Sequence, residues 1–183
     1  MDTLHRRVIR LGKLVDDILD YAQTDWDIAQ SRNDKASGRD IMNDLNDMVH
    51  MADGLKLEAS HDFLNLVVDR KAMTRVLFNL IDNAIKHHDT KVGKIKISIA
   101  DSDIAGRWVI SVADDGPGVP EQYREKIFNM FHTIHSRDIK EGSGIGLSVV
   151  KKIISSYSGE VWVEDNIPKG AIFKFTWPKE LSA

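Results

Sequence analysis

The chain has no cysteine, four prolines, an aromatic content of 7% and no long apolar run, and each shortage removes a class of protein. Without cysteine there is neither a disulfide framework nor a thiolate metal centre, a composition that suits a reducing cytosol. No stretch approaches the roughly 20 apolar residues of a membrane span. The start, Met1-Asp2-Thr3-Leu4-His5-Arg6-Arg7, lacks an apolar signal core. The expectation is a soluble, cytoplasmic segment with no membrane contact of its own, whatever anchor lies upstream in a longer protein. Basic and acidic residues nearly balance, 25 against 28, for a formal charge of −3. That leaves no basic footprint for nucleic acid.

What is present is a globular composition: 183 residues, 42% of them hydrophobic, enough for one packed domain with a small appendage. From Leu4 apolar residues recur at Val8, Leu11, Val15, Ile18 and Ala22, alternating steps of four and three that make a heptad seam. Such a helix either lies on its own domain or pairs with another helix. A polar stretch from Gln23 to Asp34 reads as a linker, and Ser37-Gly38-Arg39-Asp40 as a capping box before a helix carrying Ile41, Leu45, Met48 and Val49. Short strand-like runs at 56–58 and 63–68 precede a helix over about 71–88, with Val76, Leu77, Leu80, Ile81, Ala84 and Ile85 turned inward. Alternation at Ile95, Ile97 and Ile99, then at Trp108, Ile110 and Val112, predicts a hairpin. A helix over 145–157 and strands at 160–164 and 171–177 complete an α+β chain, a two-layer α/β sandwich with helices on one face of a mixed sheet.

Three segments carry chemistry. Asn79 and Asn83 lie four apart on the predicted helix and so point the same way, with Lys86 and His87 just beyond. An amide oxygen there suits Mg²⁺, which takes oxygen ligands and keeps several waters, and the Lys86 ammonium suits a phosphate. Alone, these residues would be ordinary helix-surface groups. Next, Asp114-Asp115-Gly116-Pro117-Gly118 sets a carboxylate at the end of a strand beside backbone without Cβ atoms. Outside any larger pattern it is an acidic turn with φ fixed by Pro117. Last, Gly142-Ser143-Gly144-Ile145-Gly146-Leu147 opens a helix, so its amides and the positive helix end suit phosphates. A tight helix cap would look the same, but no dinucleotide-type strand precedes it, which excludes a Rossmann reading.

In this order the segments resemble the ATP-binding domain of sensor histidine kinases, the GHKL or Bergerat fold. Residues 79–87 resemble its N box, 114–118 its G1 box, Phe128 and Phe131 its F box, and 142–147 its G2 box. The likeness runs from about Ser37 to Pro178. The run Phe131-His132-Thr133-Ile134-His135-Ser136-Arg137-Asp138 is most similar to cytosolic-type kinases with PAS or phytochrome-like sensors. The resemblance implies ATP and Mg²⁺ as cofactors and Asn83 as the metal ligand. Asp114 would take the adenine amine, with Gly116 and Gly118 beside the base. Asn83, Lys86, His87, Gly142, Ser143, Gly144, Ile145, Gly146 and Leu147 would surround the nucleotide. Residues 1–34 would be the C-terminal part of the dimerisation and phosphotransfer hairpin plus linker, and 35–183 the catalytic domain. Transfer of the γ-phosphate would be to a histidine outside this chain, then to an aspartate on a response-regulator receiver domain, with a homodimer in the full-length protein.

Asn79 bears on reaction type. Hydrolytic members of the wider fold carry Glu at this position, whereas an amide has no basic form at neutral pH and cannot activate water. None of the seven histidines fits the acceptor pattern of an acid next and a proline a few residues on. His5 precedes two arginines, and His61-Asp62 precedes a strand-like run. The chain alone is therefore not expected to phosphorylate itself. The stretch 129–141 reads as a lid in which His132, His135 and Arg137 face solvent or phosphate. The pairs His87-His88 and His132/His135 lack the carboxylate or cysteine spacing of a structural zinc site. Gly170-Ala171 departs from the usual Gly-Thr, a lost hydroxyl that implies an affinity loss of about 1 kcal/mol. The alternatives are a GHKL ATPase, an anti-sigma-type serine kinase, and a degenerate nucleotide-binding scaffold.

Overall fold

The computed structural model describes residues 8, 11–12, 14–19, 21–24, 34–50, 54–132 and 143–179. The seven strands are β1 (Lys35–Ser37), β2 (Leu55–Ala59), β3 (Val67–Asp69), β4 (Gly93–Asp101), β5 (Arg107–Asp114), β6 (Val161–Asp165) and β7 (Ala171–Pro178). Among the described residues of the domain, the α-helices with them are α1 (Gly38–His50), α2 (His61–Leu64), α3 (Arg70–His87) and α4 (Gly146–Ser156). The main sheet runs β2-β4-β5-β7-β6. Only the β2–β4 pair is parallel, because β2 reaches β4 through the long crossover that contains α3.

Strand alternation decides which layer forms. One cross-strand row links Ala59, Ile97, Val112, Phe173 and Val163, and its four large members are at most 5% exposed. That face meets α3 through Val76, Leu77, Leu80 and Ile81, and α4 through Val149, Val150, Ile153 and Ile154. The opposite face carries Lys94, paired with Glu58, and Lys174, paired with Glu164. The result is the expected two-layer α+β sandwich, with apolar residues at helical spacing on one side and a polar sheet face on the other.

The capping box forms as read. Asp40 N–H donates to Ser37 Oγ at 3.2 Å, while the Asp40 carboxylate accepts from the Ser37 hydroxyl at 2.6 Å and from its amide at 3.2 Å. The Ser37 bonds hold the Asp40 carboxyl below its usual range. Its stabilising effect is therefore present above the unfolded carboxylate pKa and is lost as pH falls through the lower, folded value. Ser37→Ala is expected to lower the urea midpoint by roughly 0.3–0.5 M with no change in the slope of the transition. Ile41 and Leu45 are buried as predicted; the side chains of Met48 and Val49 fall outside the described residues.

One element differs from expectation. The run 63–68 is not a single strand. Ser60 Oγ accepts the Phe63 amide at 3.3 Å and caps the short helix α2, which places Phe63 in the core at 0% exposure. Only Val67–Asp69 becomes strand, pairing antiparallel with β1. Asp69 then caps α3 by accepting the Ala72 amide at 2.9 Å.

The N-terminal segment is helical at its described residues through Thr24. Val8, Leu11, Val15 and Ile18 of the heptad seam are exposed, while Leu14 and Tyr21, one heptad apart, pack on the domain. Lys152 of α4 donates to the Tyr21 carbonyl at 2.9 Å and lies 4.4 Å from the centre of its ring. The helix thus rests on the domain by a flank outside the seam, while the seam residues themselves face outward. Most of the linker lies outside the described residues.

Candidate nucleotide site

β5 delivers Asp114 at its last position, buried to 7% exposure. Both local amides go to one oxygen: Gly116 N–H donates to Oδ1 at 2.9 Å and Ala171 N–H at 3.3 Å. Among the described residues no donor meets Oδ2. Burial raises the Asp114 carboxyl above its usual range, and the two amides only partly oppose it. A buried acceptor with one oxygen engaged and the other open is suited to a neutral N–H donor from outside.

Glycines bring backbone close to this carboxylate. Gly118 has φ 78° and a Cβ there would lie 2.9 Å from the Gly170 carbonyl oxygen. Gly170 has φ 121° and a Cβ there would lie 1.9 Å from the Asp114 carbonyl oxygen. The β6–β7 turn is thus seated on the G1 turn. Asn166 reinforces it, donating from Nδ2 to Asp114 O at 2.8 Å. Ala171 is 3% exposed; the missing hydroxyl leaves its backbone donor to Asp114 in place.

Midway along α3, Asn79 Nδ2 donates to the Arg75 carbonyl at 2.8 Å, and its Oδ1 would be 2.8 Å from a Cβ on Gly146. The glycine lets the first turn of α4 close on Asn79. Its cap, Ile145, makes no side-chain hydrogen bond, so the leading amides of Gly146 and Leu147 are free of side-chain caps and suit an anion. Ser143 Oγ accepts the Ile145 amide at 3.3 Å, and Gly144 takes φ 72°. Gly142 lies outside the described residues, as do His135, Arg137 and most of the expected lid.

Asn83, one turn beyond Asn79, is half-buried, with no side-chain hydrogen bond among the described residues. Lys86 forms an i,i+4 ion pair with Asp82, so a phosphate would have to draw its ammonium from that partner. His87 is half-buried. The two F-box residues separate in role. Phe128 is core, 5% exposed and edge-on to Phe173 with ring centres 6.3 Å apart. Phe131 is 42% exposed at φ 63°, and its amide donates to Gly144 O at 2.9 Å, joining the F and G2 boxes.

Sequence reading missed His88 and Asn166. The His88 side chain is 3% exposed and its Nε2 lies 2.9 Å from Asp115 Oδ1. The signal was its position directly after the N-box histidine, considered only for metal binding. His61, by contrast, is a surface residue beside Asp62, both side chains 84% exposed.

Residues 68–181 match the family described as histidine kinase-, DNA gyrase B- and HSP90-like ATPase. The phytochrome-like protein Cph1 of Synechocystis sp. is 34% identical over 175 residues, covering 90% of this chain and 22% of that protein. The adaptive-response sensory kinase SasA of Gloeothece citriformis is 36% identical over 126 residues, covering 68% of this chain and 32% of that protein. The chain thus spans about a fifth to a third of these curated relatives. Among solved structures, a nucleotide-free catalytic domain of the histidine kinase ThkA superposes with a TM-score of 0.61 at 30% identity, covering 81% of this chain and 97% of that one. ThkA in complex with response regulator protein TrrA gives 0.67 at 26% identity, over 98% of this chain and 50% of that one. By its matched residues, its relatives and its mixed-sheet sandwich, this chain belongs to the histidine kinase-, DNA gyrase B- and HSP90-like ATPase family, as a catalytic domain of the histidine kinase type.

Proposed function

We propose that the chain binds Mg-ATP between the G1 turn and the first turn of α4, and presents the γ-phosphate to a histidine on a dimerisation hairpin. The observation that carries this reading is the buried Asp114 carboxylate with Oδ2 open beside glycine-lined backbone. From Asn79 to His87 the α3 axis rises about 12 Å, comparable to the reach of an extended adenine nucleotide, so one helix spans base and phosphates. Asp114 accepts the adenine amine, Gly146 and Leu147 amides meet phosphate, and Asn83 holds Mg²⁺ through its amide oxygen. The ion, when bound, would neutralise phosphate charge. Lys86 supplies a point charge once released from Asp82. Catalysis is then by positioning and electrostatics.

The Asn79 amide is committed to Arg75 O and has no basic form, which supports slow hydrolysis and a nucleophile brought from elsewhere. The outward seam Val8, Leu11, Val15 and Ile18 supports residues 1–34 as part of a dimerisation hairpin in a cytoplasmic homodimeric kinase. A receiver-domain aspartate would be the final acceptor. The test is γ-labelled ATP with this chain and a separately made hairpin carrying an acceptor histidine. Label on the hairpin is expected with wild type, and at least 100-fold less with Asn83→Ala. Absence of label despite tight nucleotide binding would favour a nucleotide-binding scaffold.

A further inference from the structure

His88 ends α3 with its imidazole buried, not solvated. Its Nε2 faces Asp115 Oδ1 at 2.9 Å, and the same oxygen accepts the Lys94 amide at 2.8 Å. At its other nitrogen, Thr90 N–H lies 3.2 Å away and Thr90 O 2.9 Å. The Thr90 hydroxyl donates on to Val92 O at 2.6 Å. Gly93 makes room: a Cβ there would lie 2.3 Å from His88 Nε2. The ring therefore fastens the α3–β4 loop to the residue next to the base-facing carboxylate.

We propose that His88 is a positioning residue for base recognition, holding Asp115 so that Asp114 keeps its open oxygen directed at the purine amine. The G1 turn is gripped from two sides. Asn166 holds the Asp114 carbonyl, and His88 with the Lys94 amide holds the Asp115 carboxylate. Burial alone would raise the Asp115 carboxyl, yet the Lys94 amide and the His88 imidazole bring it below its usual range. With the imidazole gone, that carboxylate keeps one donor and can turn. Asp114, one residue earlier, is then oriented only by its own amide bonds from Gly116 and Ala171, so its direction loosens while the phosphate end, nine residues back, is untouched. The inference rests on the reading that Asp114 accepts the adenine amine. Hypoxanthine presents a carbonyl in place of that amine, so a directed carboxylate rejects it and a mobile one does so less.

The experiment is titration of ADP and IDP, which carry the same phosphates, into wild type, His88→Leu and His88→Gln. Wild type is expected to prefer ADP. His88→Leu should lose at least ten-fold of that preference with IDP affinity little changed, and His88→Gln, whose amide N–H can reach Asp115, should recover most of it. An unchanged ADP/IDP ratio in His88→Leu, or equal weakening of both nucleotides, would overturn the inference. If His88→Leu fails to fold by circular dichroism, Asp115→Ala, which removes the acceptor that His88 and the Lys94 amide share, takes its place: a reduced ratio supports the positioning role and an unchanged one refutes it. A wild type indifferent to the base would remove the Asp114 reading itself, and this inference with it.

Discussion

Asp114→Asn is expected to weaken ATP-analogue binding by roughly 10- to 150-fold, the loss of a hydrogen bond to a charged group worth about 1.5–3 kcal/mol, while leaving the unliganded fold as stable or more so. The two effects have opposite signs because the carboxylate is buried. Ionised, it is desolvated, and among the described residues the Gly116 and Ala171 amides, with a smaller contribution from His88, only partly offset that cost. Its pKa is raised, so the folded state binds this proton more tightly than the unfolded chain. That contribution is complete below the unfolded carboxylate pKa and disappears as pH rises through the folded one. At neutral pH the charged group is desolvated, and on the proposed reading a donor from the base would offset that cost. Calorimetric titration and urea unfolding on the same preparations test both signs. Binding should also weaken as pH falls through the raised value, since a protonated Oδ2 no longer accepts. Equal affinity in wild type and variant would exclude Asp114 from base recognition.

Gly170→Val should be the most damaging single substitution in the turn region, lowering stability by about 3 kcal/mol or more and the melting temperature by roughly 6–12 °C. The added Cβ would lie 1.9 Å from the Asp114 carbonyl oxygen and 3.0 Å from the Asp115 Cα, and both neighbours are backbone. Neither can swing aside as a side chain end would. The φ of 121° adds strain for any residue with a Cβ. Displacing the turn would also remove the Ala171 amide from Asp114, so nucleotide binding should fail together with stability. Gly106→Ala is the contrast: φ is 76°, but nothing lies within 4 Å of the added atom, and its smaller loss should leave binding intact. A mild Gly170→Val phenotype would mean that the two turns do not bear on each other as described.

Much of this was legible in the chain because the signals were periodic or local. α3 appears as apolar residues at helical spacing, and the capping box needs only Ser37 and Asp40. Asp114 at the end of a strand, followed by alternate glycines, announced an exposed backbone edge beside a carboxylate. What escaped depended on contacts between distant segments. The run 63–68 is apolar enough to read as a strand, but Ser60 caps Phe63 into a helical turn and the core takes the ring. Phe128 and Phe131 are alike in sequence, and only the sheet behind one and the positive φ of the other separate them. Lys86 reads in sequence as a phosphate partner, and its pairing with Asp82, one helical turn back, shows only in the folded helix. His88 gave no periodic signal, since its role depends on Asp115, 27 residues on, and on the space left by Gly93.

The most direct test is calorimetric titration of a non-hydrolysable ATP analogue into the wild-type chain, with and without Mg²⁺. A single saturable site, tighter with Mg²⁺ and losing that Mg²⁺ dependence in Asn83→Ala, is the predicted result. No binding at millimolar analogue, or binding that ignores both Mg²⁺ and the Asn83 substitution, would contradict it.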